Sequence, residues 1–235
     1  MSKDAIILAG GFGTRLGELT KNTPKPLVLV NGRPFLDILL SHLVHLGFER
    51  VVLSVGHLAE QIQAHYGEVY QQLQLIYAVE TEPLGTGGAI RLALSNIQES
   101  DAFVFNGDSF LEFDKSAVEW IHKEKDADLT LVLRSVEDAS RYGSIVRNDT
   151  SRITAFQEKT NDHAKGLING GIYLINKQSY LENTPLGNFS IEKDVFQKKC
   201  DSLKIYSHLT SGFFIDIGIP VDYERAQDAF KGFKY

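Results

Sequence analysis

The stretch AIILAGGFGTRL, residues 5 to 16, runs from an apolar segment straight into a turn that contains Gly10, Gly11 and Gly13. An uninterrupted apolar run is typical of a strand that is covered on both faces, as in a parallel sheet. Open α/β sheets bind their ligands at the carboxyl ends of such strands. The stretch therefore predicts an α/β fold with a ligand-binding turn directly after its first strand.

Strand and helix patterns alternate after this point. Short apolar runs predict strands over residues 5–8, 51–55, 75–79, 102–105, 129–133, 172–175 and 213–217. Amphipathic spacing predicts a helix between Pro34 and Gly47, further helices over residues 58–65, 88–94 and 115–125, and a last one in PVDYERAQDAF, residues 220–230. This order indicates an α/β class with a mainly parallel sheet flanked by helices.

The alternation gives way to a β hairpin after about residue 140. In GSIVRNDTSRITAFQEK, residues 143–159, two strand-like segments flank the polar turn Asn148 to Ser151. FSIEKDVFQKKC, residues 189–200, predicts an amphipathic helix that is capped by Ser190. Glu192 and Asp194 could line a sugar pocket, but an exposed face of the helix is the favoured position for both. We expect a single domain over residues 1–235 with a small β insertion.

The composition is that of an ordinary soluble protein, with 43% hydrophobic and 23% charged residues. The net charge of -6 gives no overall basic field, so nucleic acid is not an expected partner. Cys200 is the only cysteine, which excludes an internal disulfide and a cysteine-built zinc site and fits a reducing compartment. No segment approaches the roughly 20 apolar residues of a membrane span, and the first residues do not form a signal peptide. A cytoplasmic protein without membrane partners is predicted.

Two cations follow the glycine-rich turn. Arg15 offers a planar fork suited to phosphate oxygens, and Lys25 lies between Pro24 and Pro26, which restrict the backbone and favour an extended Lys25. Backbone N–H groups of the turn can form an anion-binding nest. The glycine spacing fits neither G-x-G-x-x-G nor a Walker loop. A tight turn with two solvated cations is the alternative, and the combined pattern favours polyphosphate binding.

LAGGFGTRLGELTKNTPKPLVLVNGRPFL, residues 8–36, resembles the signature of the sugar-1-phosphate nucleotidyltransferases. The resemblance continues through EPLGTGGAI, FVFNGD, YGSIV, ITAFQEK, NGGIYLI and FIDIGIPVDY, in the family's order and over nearly the whole chain. It implies the nucleotide-diphospho-sugar transferase fold, a Rossmann-like mixed, mainly parallel sheet with a sugar-binding β insertion. It also implies a nucleotide-binding half at about residues 1–135, a sugar-binding part at about 136–212, and a returning strand with the C-terminal helix at 213–235.

The family's enzymes join a nucleoside triphosphate to a sugar 1-phosphate and release pyrophosphate. By this resemblance Arg15 holds the departing pyrophosphate and Lys25 the α-phosphate. Asp108 and Asp216 would bind Mg²⁺, which accepts one or two carboxylates together with phosphate oxygens and water. A turn aspartate and a paired core charge are the alternatives for these two. Nucleotide contacts are expected from Leu8, Ala9, Gly10, Gly11, Gly13, Thr14, Glu82, Pro83, Gly85, Thr86 and Gly87.

The resemblance places the sugar phosphate against a second set of residues. These are Tyr142, Gly143, Glu158, Lys159 and Asn169. Glu158 would contact sugar hydroxyls and Lys159 the phosphate, although Thr160 stands where the family usually has proline. A solvated Glu-Lys pair is the alternative.

Two details of the sequence favour one nucleotide base and one sugar substrate. Glu82 or its neighbours in ETEPLGTGGAI, residues 80–90, offer acceptors that suit the two donors of guanine, which favours GTP. A short chain with Ile219 in DIGIP is similar to the heptose 1-phosphate guanylyltransferases, which serve bacterial surface polysaccharide. Several alternatives stay open: mannose 1-phosphate guanylyltransferases, uridylyl, cytidylyl and thymidylyl enzymes for another sugar 1-phosphate, and a regulatory subunit that senses nucleotide sugars. Cytidylyl transfer to an alcohol phosphate, which predicts dependence on CTP, is a further one. The number of subunits, including a homo-oligomer, also stays open.

Overall fold

The computed structural model describes residues 2–11, 13–157 and 164–233. The strands are β1 (Asp4–Leu8), β2 (Leu29–Val30), β3 (Arg33–Pro34), β4 (Arg50–Val55), β5 (Val69–Tyr70), β6 (Leu73–Val79), β7 (Asp101–Asn106), β8 (Ser109–Leu111), β9 (Leu129–Val136), β10 (Ser144–Arg147), β11 (Ile153–Gln157), β12 (Gly166–Asn176), β13 (Ile205–Thr210) and β14 (Phe214–Asp216). The α-helices are α1 (Phe35–His45), α2 (Ala59–Tyr66), α3 (Gly85–Leu94), α4 (Lys115–Glu124), α5 (Lys177–Asn183) and α6 (Pro220–Ala229). Two 3₁₀ segments, Thr14–Thr20 and Lys25–Leu27, and a π-helix, Ile191–Gln197, complete the secondary structure of these ranges.

An eight-stranded sheet forms the centre of the fold, in the order β13-β9-β12-β7-β1-β4-β6-β5. The pairs β7-β1, β1-β4, β4-β6 and β13-β9 are parallel. Strand β12 runs antiparallel to both of its neighbours, and β5 runs antiparallel to β6. The predicted α/β class with a mixed, mainly parallel sheet is confirmed.

Helices cover both faces of this sheet, which explains the uninterrupted apolar strands. Successive strand residues face opposite sides. Ile7 belongs to the hydrophobic cluster that includes residues of α1, α2, α4 and α6, and Ile6 belongs to the cluster that includes residues of α3, α5 and the π-helix. Both side chains are fully buried. At about 25 cal/mol per Å² of apolar area, this double burial is the main stabilising contribution of the central strands.

Most predicted elements lie within a few residues of the observed ones, and the hairpin β10-β11 forms around the predicted turn. The strand predicted over residues 213–217 forms as β14 (Phe214–Asp216), and it pairs with β8 in a two-stranded sheet that is separate from the main one. One helix boundary is corrected. The third helix begins at Gly85 rather than at residue 88. In the part of the chain that the structure describes, no helix is long and apolar enough to cross a membrane.

Candidate active site

A cleft of about 1160 Å³ opens at the carboxyl ends of β1, β4, β6 and β7. One side consists of the glycine-rich turn, the Lys25–Leu27 segment and the start of α3, and the other side includes residues around Tyr142, Asn169 and Asp216. The predicted residues that line the cleft are Leu8, Ala9, Gly10, Gly11, Gly13, Thr14, Arg15, Lys25, Glu82, Pro83, Gly85, Thr86, Asp108, Tyr142, Asn169 and Asp216. The topology thus brings most of the predicted set to one place.

A backbone hydrogen bond holds the glycine-rich turn against the carboxyl end of β4. The Ala9 N–H donates to the Ser54 carbonyl at 2.7 Å, and Gly13 adopts the left-handed conformation with φ 65°. That conformation favours glycine, and it starts the 3₁₀ segment that carries Arg15. The Thr20 hydroxyl closes the segment by donating to the Gly13 carbonyl at 2.9 Å.

Lys25 is buried in an ion pair. Its Nζ lies 2.6 Å from Oδ2 of Asp108, and the Lys25 side chain is 9% exposed. The expected extended backbone at Lys25 is wrong, because Lys25 begins a 3₁₀ segment whose first turn is closed by Val28 N–H donating to the Lys25 carbonyl at 3.1 Å. The contact with Asp108 and this local hydrogen bond override the preference imposed by Pro26.

Asp216 lies beside Asp108 through the pairing of β14 with β8. The Ile217 N–H donates to the Asp108 carbonyl at 2.9 Å, and Asp216 stands opposite Ser109. Burial raises the pKa of Asp216, and the charge of Asp108 raises it further, while the Gly218 N–H, Lys25 and Arg15 act in the opposite direction. Two carboxylates that repel one another are a suitable donor pair for a divalent cation.

The donor chemistry of this pair fits Mg²⁺. No group of three or more histidine, cysteine, aspartate or glutamate side chains suited to a metal occurs among the described residues. Two carboxylates are therefore what the chain itself offers here, and Mg²⁺ in phosphate-transfer sites commonly takes one or two carboxylates and completes its shell with phosphate oxygens and water. When bound, such an ion would neutralise charge on the phosphates.

Gly85, Thr86 and Gly87 form the first turn of α3 instead of a loop. The Gly87 N–H donates to the Phe189 carbonyl at 2.9 Å, and a Cβ at Gly87 would lie 2.2 Å from the Phe189 ring. Gly87 is buried and does not line the cleft, so its expected nucleotide contact is not supported by its position. The Phe189 carbonyl thus satisfies one of the backbone N–H groups that the first turn of a helix leaves without an intrahelical acceptor.

Glu80 is a cleft residue that the sequence reasoning did not single out. It follows β6 and is half-buried, and its Oε2 accepts from the Leu84 N–H at 3.1 Å. A Cβ at Gly10 would lie 2.6 Å from Glu80 Oε1, so this carboxylate lies against the glycine-rich turn. Burial raises the pKa of Glu80. Glu82 also lines the cleft but is exposed. A carboxylate directly after the strand predicted over residues 75–79 was the available sequence signal for Glu80.

On the other side of the cleft, Asn169 is fixed by two hydrogen bonds. Its Nδ2 donates to the Tyr173 hydroxyl at 2.8 Å, and its Oδ1 accepts from the Gly171 N–H at 2.9 Å. Tyr142 lines the cleft as expected, whereas Gly143 does not. Glu158 and Lys159 lie outside the described residues.

The expected exposed position of Glu192 is wrong. Ser190 caps the π-helix as predicted, but Glu192 is half-buried and lines the cleft. Its Oε2 accepts from the Thr86 hydroxyl at 2.8 Å and from the Ser190 hydroxyl at 2.7 Å. Asp194 instead pairs with Lys198 at 2.7 Å. Further cleft residues that the sequence reasoning did not single out include Ser54, Gly56, His57, Thr81, Asn106, Ser109, Arg141, Asn188 and Gly218.

The chain is similar in sequence and in structure to known proteins. The family model described as nucleotidyl transferase matches residues 4–231. The D-glycero-alpha-D-manno-heptose 1-phosphate guanylyltransferase of Aneurinibacillus thermoaerophilus is 38% identical over 95% of this chain and 96% of its own length. The mannose-1-phosphate guanylyltransferase catalytic subunit beta of Drosophila pseudoobscura pseudoobscura is 38% identical over 93% of this chain and 60% of its own length. The crystal structure of HddC from Yersinia pseudotuberculosis complexed with GMP-PN matches with a TM-score of 0.85 and 36% identity, covering 97% of this chain and 100% of that one.

Proposed function

The chain belongs to the nucleotidyl transferase family, and on that premise we propose that it transfers a guanylyl group from GTP to a sugar 1-phosphate. The favoured acceptor is D-glycero-α-D-manno-heptose 1-phosphate, and the products are a GDP-sugar and pyrophosphate. The guanylyltransferase relatives and the GMP-PN complex of HddC support the choice of base and of sugar. We place the reaction in the cytoplasm, in the supply of activated sugar for a surface polysaccharide.

The convergence of Lys25, Asp108 and Asp216 carries this proposal. In the reaction, a phosphate oxygen of the sugar attacks the α-phosphorus, an O–P bond forms, and the bond to the pyrophosphate oxygen breaks. Both substrates are anions, so catalysis depends on fixed positive charge. We assign Lys25 to the α-phosphate and Arg15 to the departing pyrophosphate.

The attacking group needs no general base in this scheme. A sugar phosphate is already ionised near pH 7, so the chain's task is to hold the two phosphates in line and exclude water. Mg²⁺ would be held by Asp108 and Asp216 and would supply charge neutralisation. The N–H groups of Gly10, Gly11, Gly13 and Thr14 would surround the triphosphate oxygens.

Base selection is assigned to Glu80 in place of Glu82. Guanine presents its N1–H and N2–H₂ donors side by side, and a carboxylate can accept from both. The Glu80 carboxylate is half-buried and its Oε2 is fixed by the Leu84 N–H at 3.1 Å, whereas Glu82 is exposed. A partly desolvated acceptor discriminates between donors more strongly than an exposed one.

The sugar is assigned to the side of the cleft that contains Tyr142 and Asn169. Asn169 offers polar groups there that suit sugar hydroxyls, and the Glu192 carboxylate, which accepts from Thr86 at the start of α3, offers acceptors from the α3 side of the cleft. Glu158 and Lys159 complete the assignment from the sequence resemblance. Mannose 1-phosphate is the second candidate acceptor, because a mannose-1-phosphate guanylyltransferase covers 93% of this chain at 38% identity.

A pyrophosphate-release assay tests the function. GTP, ATP, UTP, CTP and dTTP are each paired with heptose, mannose and glucose 1-phosphates in the presence of Mg²⁺. We expect the highest kcat/KM for GTP with heptose 1-phosphate. Highest turnover with UTP or CTP would overturn the assignment of GTP as the nucleotide. Highest turnover with mannose 1-phosphate would overturn the assignment of heptose 1-phosphate as the acceptor. GTP binding without turnover for any pair would favour a sensing subunit over an enzyme.

A further inference from the structure

Arg141 is a cation that lines the cleft. It lies between β9 and β10, next to Tyr142, and its Nη2 donates to Oδ2 of Asp222 at 2.5 Å. Asp222 belongs to α6, and its side chain is only 3% exposed. The Arg141 guanidinium carbon lies 5.5 Å from the centre of the Tyr142 ring. A buried carboxylate and an aromatic ring therefore fix the guanidinium in one direction.

The charge of Arg141 is not cancelled by this contact. Arg225 donates from Nη1 to the second oxygen of Asp222 at 2.9 Å, so that two arginines share one carboxylate. The trio of Arg141, Asp222 and Arg225 carries a net charge of about +1 at neutral pH. The Arg141 side chain remains 45% exposed, and a guanidinium has five N–H donors, most of which stay available on this residue. The cleft thus contains a pre-oriented cation with free donors.

We propose that Arg141 binds the phosphate group of the sugar 1-phosphate and that Asp222 positions its guanidinium. This inference rests on the proposed function. The triphosphate is assigned to Gly10, Gly11, Gly13, Thr14, Arg15 and Lys25. Arg141 shares its segment with Tyr142 on the sugar side. The phosphate is the only charged group of the sugar substrate, and a fixed arginine fork matches phosphate geometry.

Steady-state kinetics of Arg141→Met and Arg141→Lys test the binding role. With mannose 1-phosphate and heptose 1-phosphate as acceptors, Arg141→Met should raise the KM for the sugar phosphate about 10- to 100-fold, as expected for the loss of a charge-assisted contact. The KM for GTP should change less than about threefold, and Arg141→Lys should recover part of the loss. Arg147→Met is the matched control, because Arg147 lies on β10, bonds Ser151 and does not line the cleft.

A double-mutant cycle tests the positioning role of Asp222. Asp222→Asn alone should raise the KM for the sugar phosphate, but it should add no further rise when combined with Arg141→Met. A merely structural Asp222 would lower kcat or stability equally in both backgrounds. An additive effect on KM, or a rise in the KM for GTP instead of the sugar phosphate, overturns the assignment.

Binding measurements separate this inference from the proposed function. If the unmodified protein turns over no substrate pair, the function fails, and calorimetry with mannose 1-phosphate and unphosphorylated mannose still decides the role of Arg141. About tenfold weaker binding of mannose 1-phosphate to Arg141→Met than to the unmodified protein, with mannose unaffected, supports the role. Equal binding to both proteins, including no binding to either, overturns it.

Discussion

The ammonium group of Lys25 lies 2.6 Å from Oδ2 of Asp108, although the two residues are 83 positions apart in the sequence. The contact connects the TPKP segment to the end of the central strand β7 and brings a cation to the carboxylate pair. Lys25 thereby has two tasks, because it partly neutralises Asp108 in the free protein and is assigned to the α-phosphate in the complex. A lysine exposed to solvent could perform neither task, whereas the Lys25 side chain is buried.

Replacing Lys25 by Met should lower kcat/KM for GTP by about 10²- to 10³-fold. A unit charge pair at 4 Å is worth about 4 kcal/mol at an effective dielectric constant of 20, and solvent screening reduces the realised loss. Pyrophosphate release at saturating sugar phosphate measures this. Lys21→Met is the control, because Lys21 is exposed and pairs only at 3.5 Å with Glu18. Similar activity in both variants would contradict the assigned role of Lys25.

Asp216→Asn should raise the Mg²⁺ concentration for half-maximal activity by at least about tenfold, since one of the two candidate ligands loses its charge. The measurement is a magnesium titration of pyrophosphate release at fixed GTP, supported by equilibrium dialysis of Mn²⁺ in the presence of nucleotide. Asp228→Asn is a matched exchange on α6, where Asp228 pairs with Lys231 away from the cleft. A magnesium dependence that stays the same in Asp216→Asn would exclude Asp216 as a ligand.

The parts of the fold that could be predicted are those encoded in local pattern. Ile6 and Ile7 are both fully buried, on opposite faces of β1, and this is why an uninterrupted apolar run indicated a strand of a covered sheet. The resemblance to a family then identified the segments that reach the cleft. The apolar pattern and each of the family's motifs consist of residues that are close together in the sequence.

The features that were missed depend on contacts between distant segments. Glu192 is drawn into the cleft by Thr86, which is 106 positions away, and no local pattern of the π-helix encodes that hydrogen bond. Gly87 lies in the first turn of α3, and its N–H donates to the carbonyl of Phe189, which is distant in the sequence. The pairing of β14 with β8 likewise depends on tertiary geometry. Sequence patterns therefore predicted the helices and strands better than the contacts between elements that are distant in the sequence.

Glu80→Gln should remove most of the preference for guanine. A carboxylate accepts from both N1–H and N2–H₂, whereas an amide offers one acceptor and one mismatched donor, so kcat/KM for GTP should fall about 10- to 100-fold. Inosine triphosphate lacks the exocyclic amine, and the ratio of GTP to ITP turnover should therefore approach one in the variant. Glu82→Gln should leave the ratio nearly unchanged. The opposite result would return base selection to Glu82.

Gly87→Ala should destabilise the protein by about 1–3 kcal/mol, because the new Cβ would lie 2.2 Å from the Phe189 ring in a close-packed site. Urea unfolding measures the change. Gly11→Ala serves as the control for stability alone, since no atom outside its chain neighbours lies within 4 Å of a Cβ there. The second variant Gly87→Ala/Phe189→Leu should recover part of the loss. Additive losses in the double variant would contradict the packing explanation.

His42 should lower the free energy of unfolding by about 2 kcal/mol as the pH is lowered from 7 to 5. His42 is 4% exposed on α1, against the rings of Phe110 and Phe113, and burial together with the charge of His45 lowers its pKa to about 4. The unfolded chain, with a pKa near 6.5, takes up a proton over this range while the folded chain does not, so protonation favours unfolding. Urea unfolding at pH 7, 6 and 5 should therefore show a smaller pH dependence in His42→Leu than in the unmodified protein. An equal pH dependence in the two proteins would show that His42 is protonated as readily in the folded chain as in the unfolded one.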